Sequence, residues 1–117
     1  MGWTVSFSEE VREWYVGLSP SGKAAVRRVV TRLEQRGHML GMPLSRSLGS
    51  GLYELRFTCE NVARRITYVL DPGRQAVTLT TFRKQRENER AEVLRARRAQ
   101  AAHAVVRENE RKDGEER

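Results

Sequence analysis

The sequence predicts an α+β domain in which an N-terminal strand and a helical hairpin pack on a small antiparallel sheet. Two early segments repeat apolar residues at helical spacing, and each directly follows a serine that can cap a helix. Three later segments alternate apolar and polar side chains and are separated by turn-forming residues. After residue 86 the sequence becomes rich in Ala, Glu and Arg, which favours a last helix. The predicted order of elements is therefore β-α-α-β-β-β-α.

The N-terminal elements have clear start and stop signals. Residues 3–7 alternate apolar and polar side chains, which predicts a short strand. Ser8 is the expected N-cap of a first helix, because its hydroxyl can accept an unpaired backbone amide. Ser19 and Pro20 are the equivalent start of a second helix, and Gly37 is its expected end. The expected buried faces comprise Val11, Trp14, Tyr15 and Leu18 in the first helix and Ala25, Val26, Val29, Val30 and Leu33 in the second.

The middle of the chain predicts the sheet. Residues 38–50 are rich in Gly, Met, Ser and Pro without periodicity, which predicts a loop. Strands are expected near residues 51–58, 63–70 and 76–82. Residues 60–61 and 71–73 supply the turns between them, so the simplest topology is an antiparallel meander.

The C-terminal segment predicts a helix with a thin apolar stripe. Ala91, Leu94, Ala101 and Val105 share one helical face, which Arg98 interrupts. The last residues are almost wholly charged, which is typical of disorder. We therefore expect one folded domain over residues 1–106 and a charged, disordered tail over residues 107–117.

Length and charge restrict the class of protein. A chain of 117 residues forms a single core, which excludes a multidomain cofactor-dependent enzyme. Lys and Arg total 22 against 15 Asp and Glu, giving a net charge of +7. Such a balance indicates a polyanionic partner, but RNA, DNA and an acidic protein all satisfy it.

The remaining composition favours a cytoplasmic protein without a metal or cofactor. Cys59 is the single cysteine and cannot form an internal disulfide. His38 and His103 are too far apart in sequence to suggest a metal site, and surface or incidental roles are expected for both. No apolar run is long enough to cross a bilayer, and no signal peptide is recognisable.

Side-chain parity separates two faces of the predicted sheet, because residues two apart in a strand share a face. The apolar face comprises Tyr53, Leu55, Phe57, Ile66, Tyr68, Leu70, Val77 and Leu79. The polar face comprises Glu54, Arg56, Arg65, Thr67, Thr80 and Lys84, together with Phe82. This polar face is either an ordinary solvated surface or a phosphate-binding surface. Arginines suited to bidentate phosphate contact, and an aromatic ring able to stack on a base, favour the second interpretation.

Three segments carry a family resemblance: GLYELRF at residues 51–57, ARRITYVL at residues 63–70 and VTLTTFRKQR at residues 77–86. They closely resemble the RelE/ParE toxin superfamily, and within it the phage-derived HigB-like branch. That branch has an L-x-E-L-R strand, an R-x-x-Y strand and a strand ending in F-x-K before a helix. The resemblance extends from the N-terminal strand to the C-terminal helix and implies a RelE-like fold.

The resemblance implies the toxin of a type II toxin-antitoxin pair that enters the ribosome and cleaves messenger RNA. The implied reaction needs no metal, because the ribose 2′-hydroxyl attacks the adjacent phosphate and leaves a 2′,3′-cyclic phosphate. Arg56 and Arg65 match the family's phosphate-contacting arginines, and Lys84 matches the basic position after the last strand. The implied partners are mRNA on the ribosome and a helix-turn-helix, HigA-like antitoxin. Further RNA contacts are expected from Phe82, Arg83 and Arg86.

The proton carriers of this reaction are less clearly indicated. Lys84 is the first candidate for the base, since neighbouring cations can depress the pKa of a lysine. Glu54 is a second candidate, or alternatively forms an ion pair that orients Arg56 or Arg65. Tyr68 matches a family tyrosine, but its parity places it in the core. The general acid stays unassigned.

Two other functions are consistent with the sequence. One is inhibition of DNA gyrase, as in the ParE-like branch of the same superfamily, and the other is non-catalytic RNA binding by a basic protein of this fold. The cation-rich strand face favours the nuclease, because gyrase inhibition does not require those side chains.

Overall fold

The structure, a computed structural model, describes residues 2–87 and 89–115. Its strands and helices are β1 (Thr4–Ser6), α1 (Glu9–Val16), α2 (Pro20–Arg36), β2 (Ser45–Gly49), β3 (Leu52–Cys59), β4 (Val62–Asp71), β5 (Gln75–Arg83) and α3 (Glu89–Glu115). The predicted α+β class and every predicted element are confirmed, and one strand is additional. The strand order is β1-β5-β4-β3-β2. Strands β2 to β5 form an antiparallel meander, and β1 joins its far edge in parallel with β5.

The predicted helix boundaries are confirmed by their capping contacts. The hydroxyl of Ser8 accepts the amide of Val11 at 3.2 Å, and that of Ser19 accepts the amide of Gly22 at 3.1 Å. Gly37 ends α2 with a φ of 53°, and a side chain there would clash with the indole ring of Trp3. These caps fix where α1 and α2 begin and where α2 must stop.

The sheet has a packed cluster on each face. On one side, called the hairpin face, α1 and α2 cover a large core made of Val11, Val29, Leu33, Leu55, Ile66, Tyr68 and Ala76. On the other side, called the α3 face, α3 covers a smaller cluster made of Leu52, Val69, Leu79 and Ala96. Among the described residues, no helix is long and apolar enough to span a membrane.

Strand β2 corrects the prediction of a continuous loop over residues 38–50. Ser45–Gly49 pairs antiparallel with β3, from Ser45 opposite Leu55 to Gly49 opposite Leu52. Its own sequence is short and polar, and four of its five side chains are not buried. Such an edge strand is held by its hydrogen bonds to β3, which no local pattern reveals.

A bulge in β5 corrects the predicted parity of Val77 and Leu79. Ile66 pairs with Thr81, but Tyr68 pairs with Thr78, so β5 contains one extra residue at this point. Val77 and Leu79 therefore lie on the α3 face and not on the hairpin face. Beyond the bulge the predicted parity is correct again, since Phe82 lies opposite Arg65.

The face of α3 that packs on the sheet also differs from the predicted stripe. Ala96 is fully buried and Ala99 packs beside it, whereas Leu94 and Val105 are 53% and 60% exposed. Arg97 anchors this side of α3 to β2, since it donates to the carbonyl of Leu48 at 2.6 Å and to that of Gly49 at 2.8 Å. Polar anchoring, which the apolar pattern does not encode, thus decides which side of α3 is buried.

The helix continues through the segment predicted to be disordered. α3 extends to Glu115, and residues 116–117 lie outside the described residues. Arg107 forms an ion pair with Asp71 at 3.0 Å, and Arg111 pairs with Glu108 one turn away at 2.6 Å. Ala, Glu, Arg and Lys also have high helix propensity. The structure thus describes residues 107–115 as the last turns of α3, where composition alone predicts disorder.

Candidate active site

Strand register assembles two rows of side chains on the α3 face. In the first row Arg46 lies opposite Glu54, which lies opposite Thr67. In the second row Arg56 lies opposite Arg65, which lies opposite Phe82. Directly opposed residues of antiparallel strands share a face, so all six side chains belong to one surface. The predicted grouping of Glu54, Arg56, Arg65, Thr67 and Phe82 follows from this register.

Arg56 and Arg65 form a cross-strand pair of like charge. Arg56 is half-buried, and its guanidinium lies 3.4 Å from the sulfur of Met42. Arg65 is only 5% exposed and donates to the carbonyl of Arg64 at 3.0 Å. Burial lowers the pKa of Arg65, and the charge of Arg56 lowers that pKa further. The two cations therefore repel each other in a partly desolvated setting, which an anion would relieve.

Glu54 is a buried carboxylate on the same surface. It is 4% exposed, and among residues 2–87 and 89–115 it forms no ion pair with either arginine. The alternative in which Glu54 orients Arg56 or Arg65 through an ion pair is therefore not found. Burial raises the pKa of Glu54, Glu89 raises it as well, and the positive charges of Arg65, Arg56 and Arg46 oppose the shift. The net result is a carboxyl group that holds its proton more tightly than usual.

The basic residues at the end of β5 and just after it divide between the two faces. The amide of Lys84 donates to the carbonyl of Ala63 at 2.9 Å, so the pairing continues one step beyond the strand. This register places Lys84 on the α3 face, where its side chain is exposed. Arg83 lies opposite Arg64 and hence on the hairpin face, away from Arg56. Arg86 is exposed beyond the strand.

Two aromatic residues of the predicted site are buried. Phe82 is 6% exposed, so its ring has no free face on which an RNA base could stack. The expected stacking role of Phe82 is therefore not supported. Tyr68 is 1% exposed, stacks on Tyr53 with ring centroids 5.4 Å apart and shares a 2.5 Å hydrogen bond with Ser45. Its predicted place in the core is confirmed.

The chain matches, over residues 13–104, the family described as "Phage derived protein Gp49-like (DUF891)". The match covers most of the chain and includes every residue of the two rows. The chain belongs to the Gp49-like family. This is a family of RelE/HigB-type toxins, so the protein is the toxin of a toxin-antitoxin pair and has a cognate antitoxin. No curated protein matches it.

Arg46 of this Gp49-like toxin is a site residue that sequence reasoning missed. It is exposed and lies opposite Glu54 on the α3 face, where its positive charge opposes the rise that burial causes in the pKa of that carboxyl group. The omission follows from the loop predicted for residues 38–50. Ser45, Arg46 and Ser47 are all polar, so this segment lacks the apolar–polar alternation that predicts a strand.

The histidines and the cysteine of the Gp49-like toxin lie away from the two rows. His38 is exposed beside the ring of Trp3, with ring centroids 5.9 Å apart. His103 contacts Asp71 at 2.7 Å, at the opposite end of the strands from Arg56. Cys59 is buried, and burial raises the pKa of its thiol. These positions suit structural roles.

Proposed function

We propose that this Gp49-like toxin belongs to the HigB-like branch and is a ribosome-dependent mRNA endonuclease that cleaves without a metal ion. The observation that supports this most strongly is the opposed pair of Arg56 and Arg65 beside the buried carboxyl group of Glu54. Like charges in direct opposition destabilise a sheet unless an anion lies between them. A phosphodiester is an anion of the right shape, because each of its two free oxygens can accept a guanidinium hydrogen bond.

The proposed reaction is an internal phosphoryl transfer. The ribose 2′-oxygen attacks the adjacent phosphorus, a P–O2′ bond forms and the P–O5′ bond breaks. The 2′-hydroxyl proton passes to a base, and a proton reaches the departing 5′-oxygen, so the products are a 2′,3′-cyclic phosphate and a 5′-hydroxyl. Negative charge accumulates on the phosphorane oxygens, where fixed cations lower the barrier most.

The burial of each side chain suggests its role. Arg56 is half-buried and can reach a phosphate from solvent. Arg65 is buried beneath the surface, so it acts through its charge and through its position beside Arg56. Cations in a partly desolvated setting interact with an anion more strongly than cations in water do. The pair thus provides one contacting cation and one supporting cation.

Lys84 and Glu54 are the proposed proton carriers. Lys84 is exposed at the rim of the α3 face and is the proposed base that accepts the proton of the 2′-hydroxyl group. Burial raises the pKa of Glu54, which favours its protonated form. A protonated carboxyl group can supply the proton that the 5′-oxygen needs through one intervening water molecule, because Glu54 itself is only 4% exposed. This assignment gives the site the general acid that sequence reasoning left open.

The test is a cell-free translation reaction followed by primer extension on the message. The wild-type toxin is expected to cut the translated message and to leave the same RNA intact without ribosomes. Arg56→Ala and Lys84→Ala are expected to lower cleavage by about 100-fold each, since the first removes a cation that stabilises the phosphorane and the second removes the proposed base. Arg12→Ala, which removes an exposed cation of α1, is the matched control and should retain full cleavage.

Two results would contradict the proposal. One is an intact message together with inhibited supercoiling by DNA gyrase, which would indicate the ParE-like activity. The other is full cleavage by folded Arg56→Ala and Lys84→Ala variants, which would move the active site elsewhere. The HigA-like, helix-turn-helix character of the antitoxin belongs to the same proposal. Its test is whether the antitoxin that co-purifies with the toxin binds operator DNA.

A further inference from the structure

A groove of about 560 Å³ lies on the hairpin face, between α2 and the outer edge of β3. We call it the α2 groove. Its apolar part is formed by Val29, Leu44 and Phe57, and its helical wall includes Arg28 and Arg32. Phe57 belongs to the face that packs on α1 and α2, so the α2 groove is separated from Arg56 and Glu54 by the sheet itself.

The floor of the α2 groove includes an unpaired strand edge. Strand β2 pairs with β3 as far as Ser45, opposite Leu55, and one further backbone hydrogen bond joins the amide of Arg56 to the carbonyl of Leu44 at 2.8 Å. Thr58 lies beyond that point. Its partner on β4 is Ala63, whose carbonyl accepts the amide of Lys84 on the side away from β3, so Thr58 and Ala63 share no backbone hydrogen bond. The backbone of Thr58 therefore points outward, and no strand of the described chain pairs with it there. An open edge of this kind binds extended peptides through main-chain hydrogen bonds.

The charged residues that line the α2 groove are all positive. Arg27, Arg28 and Arg32 line it, and none of its lining residues is acidic. Arg27 donates to the hydroxyl of Tyr15 at 3.2 Å. Arg28 and Arg32 are exposed and form no ion pair within residues 2–87 and 89–115. Carboxylates of a bound segment would find two uncommitted guanidinium groups at helical spacing.

The geometry points to an extended acidic segment of the cognate antitoxin, with at least one apolar side chain, as the occupant of the α2 groove. Its backbone pairs with Thr58, its carboxylates meet Arg28 and Arg32, and its apolar side chain covers Phe57. An apolar floor beside an open strand edge favours a peptide over RNA, because RNA has no peptide backbone that could pair with a strand. The inference rests on the proposed function only for its biological meaning, which is neutralisation of a toxin.

Such a partner would inhibit without covering the catalytic face. The α2 groove and the Arg56–Arg65 pair lie on opposite faces of one sheet, so a segment in the groove leaves both arginines open. The bulk of the bound antitoxin would keep the toxin out of the ribosome. Cleavage of RNA and binding in the groove are therefore separable properties.

The test is an NMR titration of the full chain with a short synthetic peptide that alternates Glu and Leu. The expected shifts are at the amides of Thr58, Phe57, Arg28 and Arg32. The Arg28→Glu/Arg32→Glu variant should weaken binding by at least about tenfold, because it replaces attraction with repulsion. Arg12→Glu/Arg98→Glu, which changes the net charge equally at exposed sites outside the groove, should bind like wild type. Arg28→Gln/Arg32→Gln is the second variant if the charge reversal impairs folding.

Three outcomes would overturn the inference. In the first, millimolar peptide causes no shifts. In the second, the shifts are centred on Arg56 and Lys84. In the third, a uridine oligonucleotide of the same length binds as tightly as the peptide and displaces it. None of these outcomes tests the proposed nuclease activity, which only the translation assay can refute. A toxin without cleavage activity but with a peptide-binding α2 groove would likewise refute the proposed reaction alone.

Discussion

Glu54 of β3 and Arg65 of β4 lie on one face of the sheet, 4% and 5% exposed, and do not pair with each other. The charge of Arg65 lowers the pKa of Glu54, but burial raises it by more. An acid whose pKa rises on folding is stabilised as the neutral form. At neutral pH the carboxyl group of the unfolded chain ionises freely, so burying Glu54 reduces the stability of the fold.

Replacing Glu54 by Gln should stabilise the protein while it abolishes cleavage. The native state binds the Glu54 proton more tightly than the unfolded chain, so the penalty grows as pH rises above the ordinary glutamate value. At neutral pH we expect the free energy of unfolding to rise by about 1 kcal/mol, and at about pH 4 we expect little gain. Urea unfolding at both pH values measures this. Glu34→Gln, at an exposed position, should change neither quantity. A loss of stability at neutral pH would show that Glu54 is held as a carboxylate.

Replacing Tyr68 by Phe should cost stability without affecting cleavage. The substitution leaves the buried hydroxyl of Ser45 without its 2.5 Å partner. The expected cost is about 1 kcal/mol in the free energy of unfolding, measured with urea. Tyr53→Phe, at a half-buried ring, is the matched control. Full stability combined with lost cleavage would instead place the Tyr68 hydroxyl in the reaction.

Removing Glu10 should loosen both α3 and the edge of β5. One carboxylate oxygen accepts the guanidinium of Arg95 at 2.5 Å, and the other accepts the amide of Thr81 at 2.7 Å. Glu10→Ala should cost about 2 kcal/mol, since Thr81 is buried and loses its acceptor. Arg95→Ala should cost only about 1 kcal/mol, because the ion pair is more than one-third exposed.

Urea unfolding of the two variants, with Glu9→Ala at an exposed position as control, makes the comparison. Equal costs for Glu10→Ala and Arg95→Ala would mean that the Thr81 amide contributes nothing. Hydrogen exchange should also be faster throughout the first turns of α3 in both variants, because both lose the contact between α3 and α1.

Replacing Asp71 by Asn should release the C-terminal part of α3. The carboxylate of Asp71 accepts hydrogen bonds from His103 at 2.7 Å and from Arg107 at 3.0 Å. The helical residues after Arg107 are exposed as far as residue 114. We expect faster amide exchange from about residue 103 onward, with the sheet unchanged, measured by hydrogen exchange with mass spectrometry. Asp113→Asn, in the exposed last turns, should leave the exchange pattern as it is. Unchanged exchange in Asp71→Asn would show that helix propensity alone maintains this segment.

Local signals predicted most of the architecture. Serine caps marked the starts of α1 and α2, and alternation marked the strands now seen at Leu52–Cys59, Val62–Asp71 and Gln75–Arg83. Parity placed Glu54, Arg56 and Arg65 on one face, since β3 and β4 pair without a bulge. The same argument failed for Val77 and Leu79, because a bulge depends on the partner strand.

The sequence by itself determined the class of the fold, the caps, the basic charge and the identity of the cations on β3 and β4. These properties depend on residues that are neighbours along the chain. Only the tertiary structure decided the pairing of β2, the rotation of α3 and the burial of Arg65 and Phe82. Each of these depends on contacts between distant segments, whose free energies local spacing does not contain. The tertiary structure therefore changed the site from an open row of cations into one half-buried arginine beside a buried arginine and a buried acid.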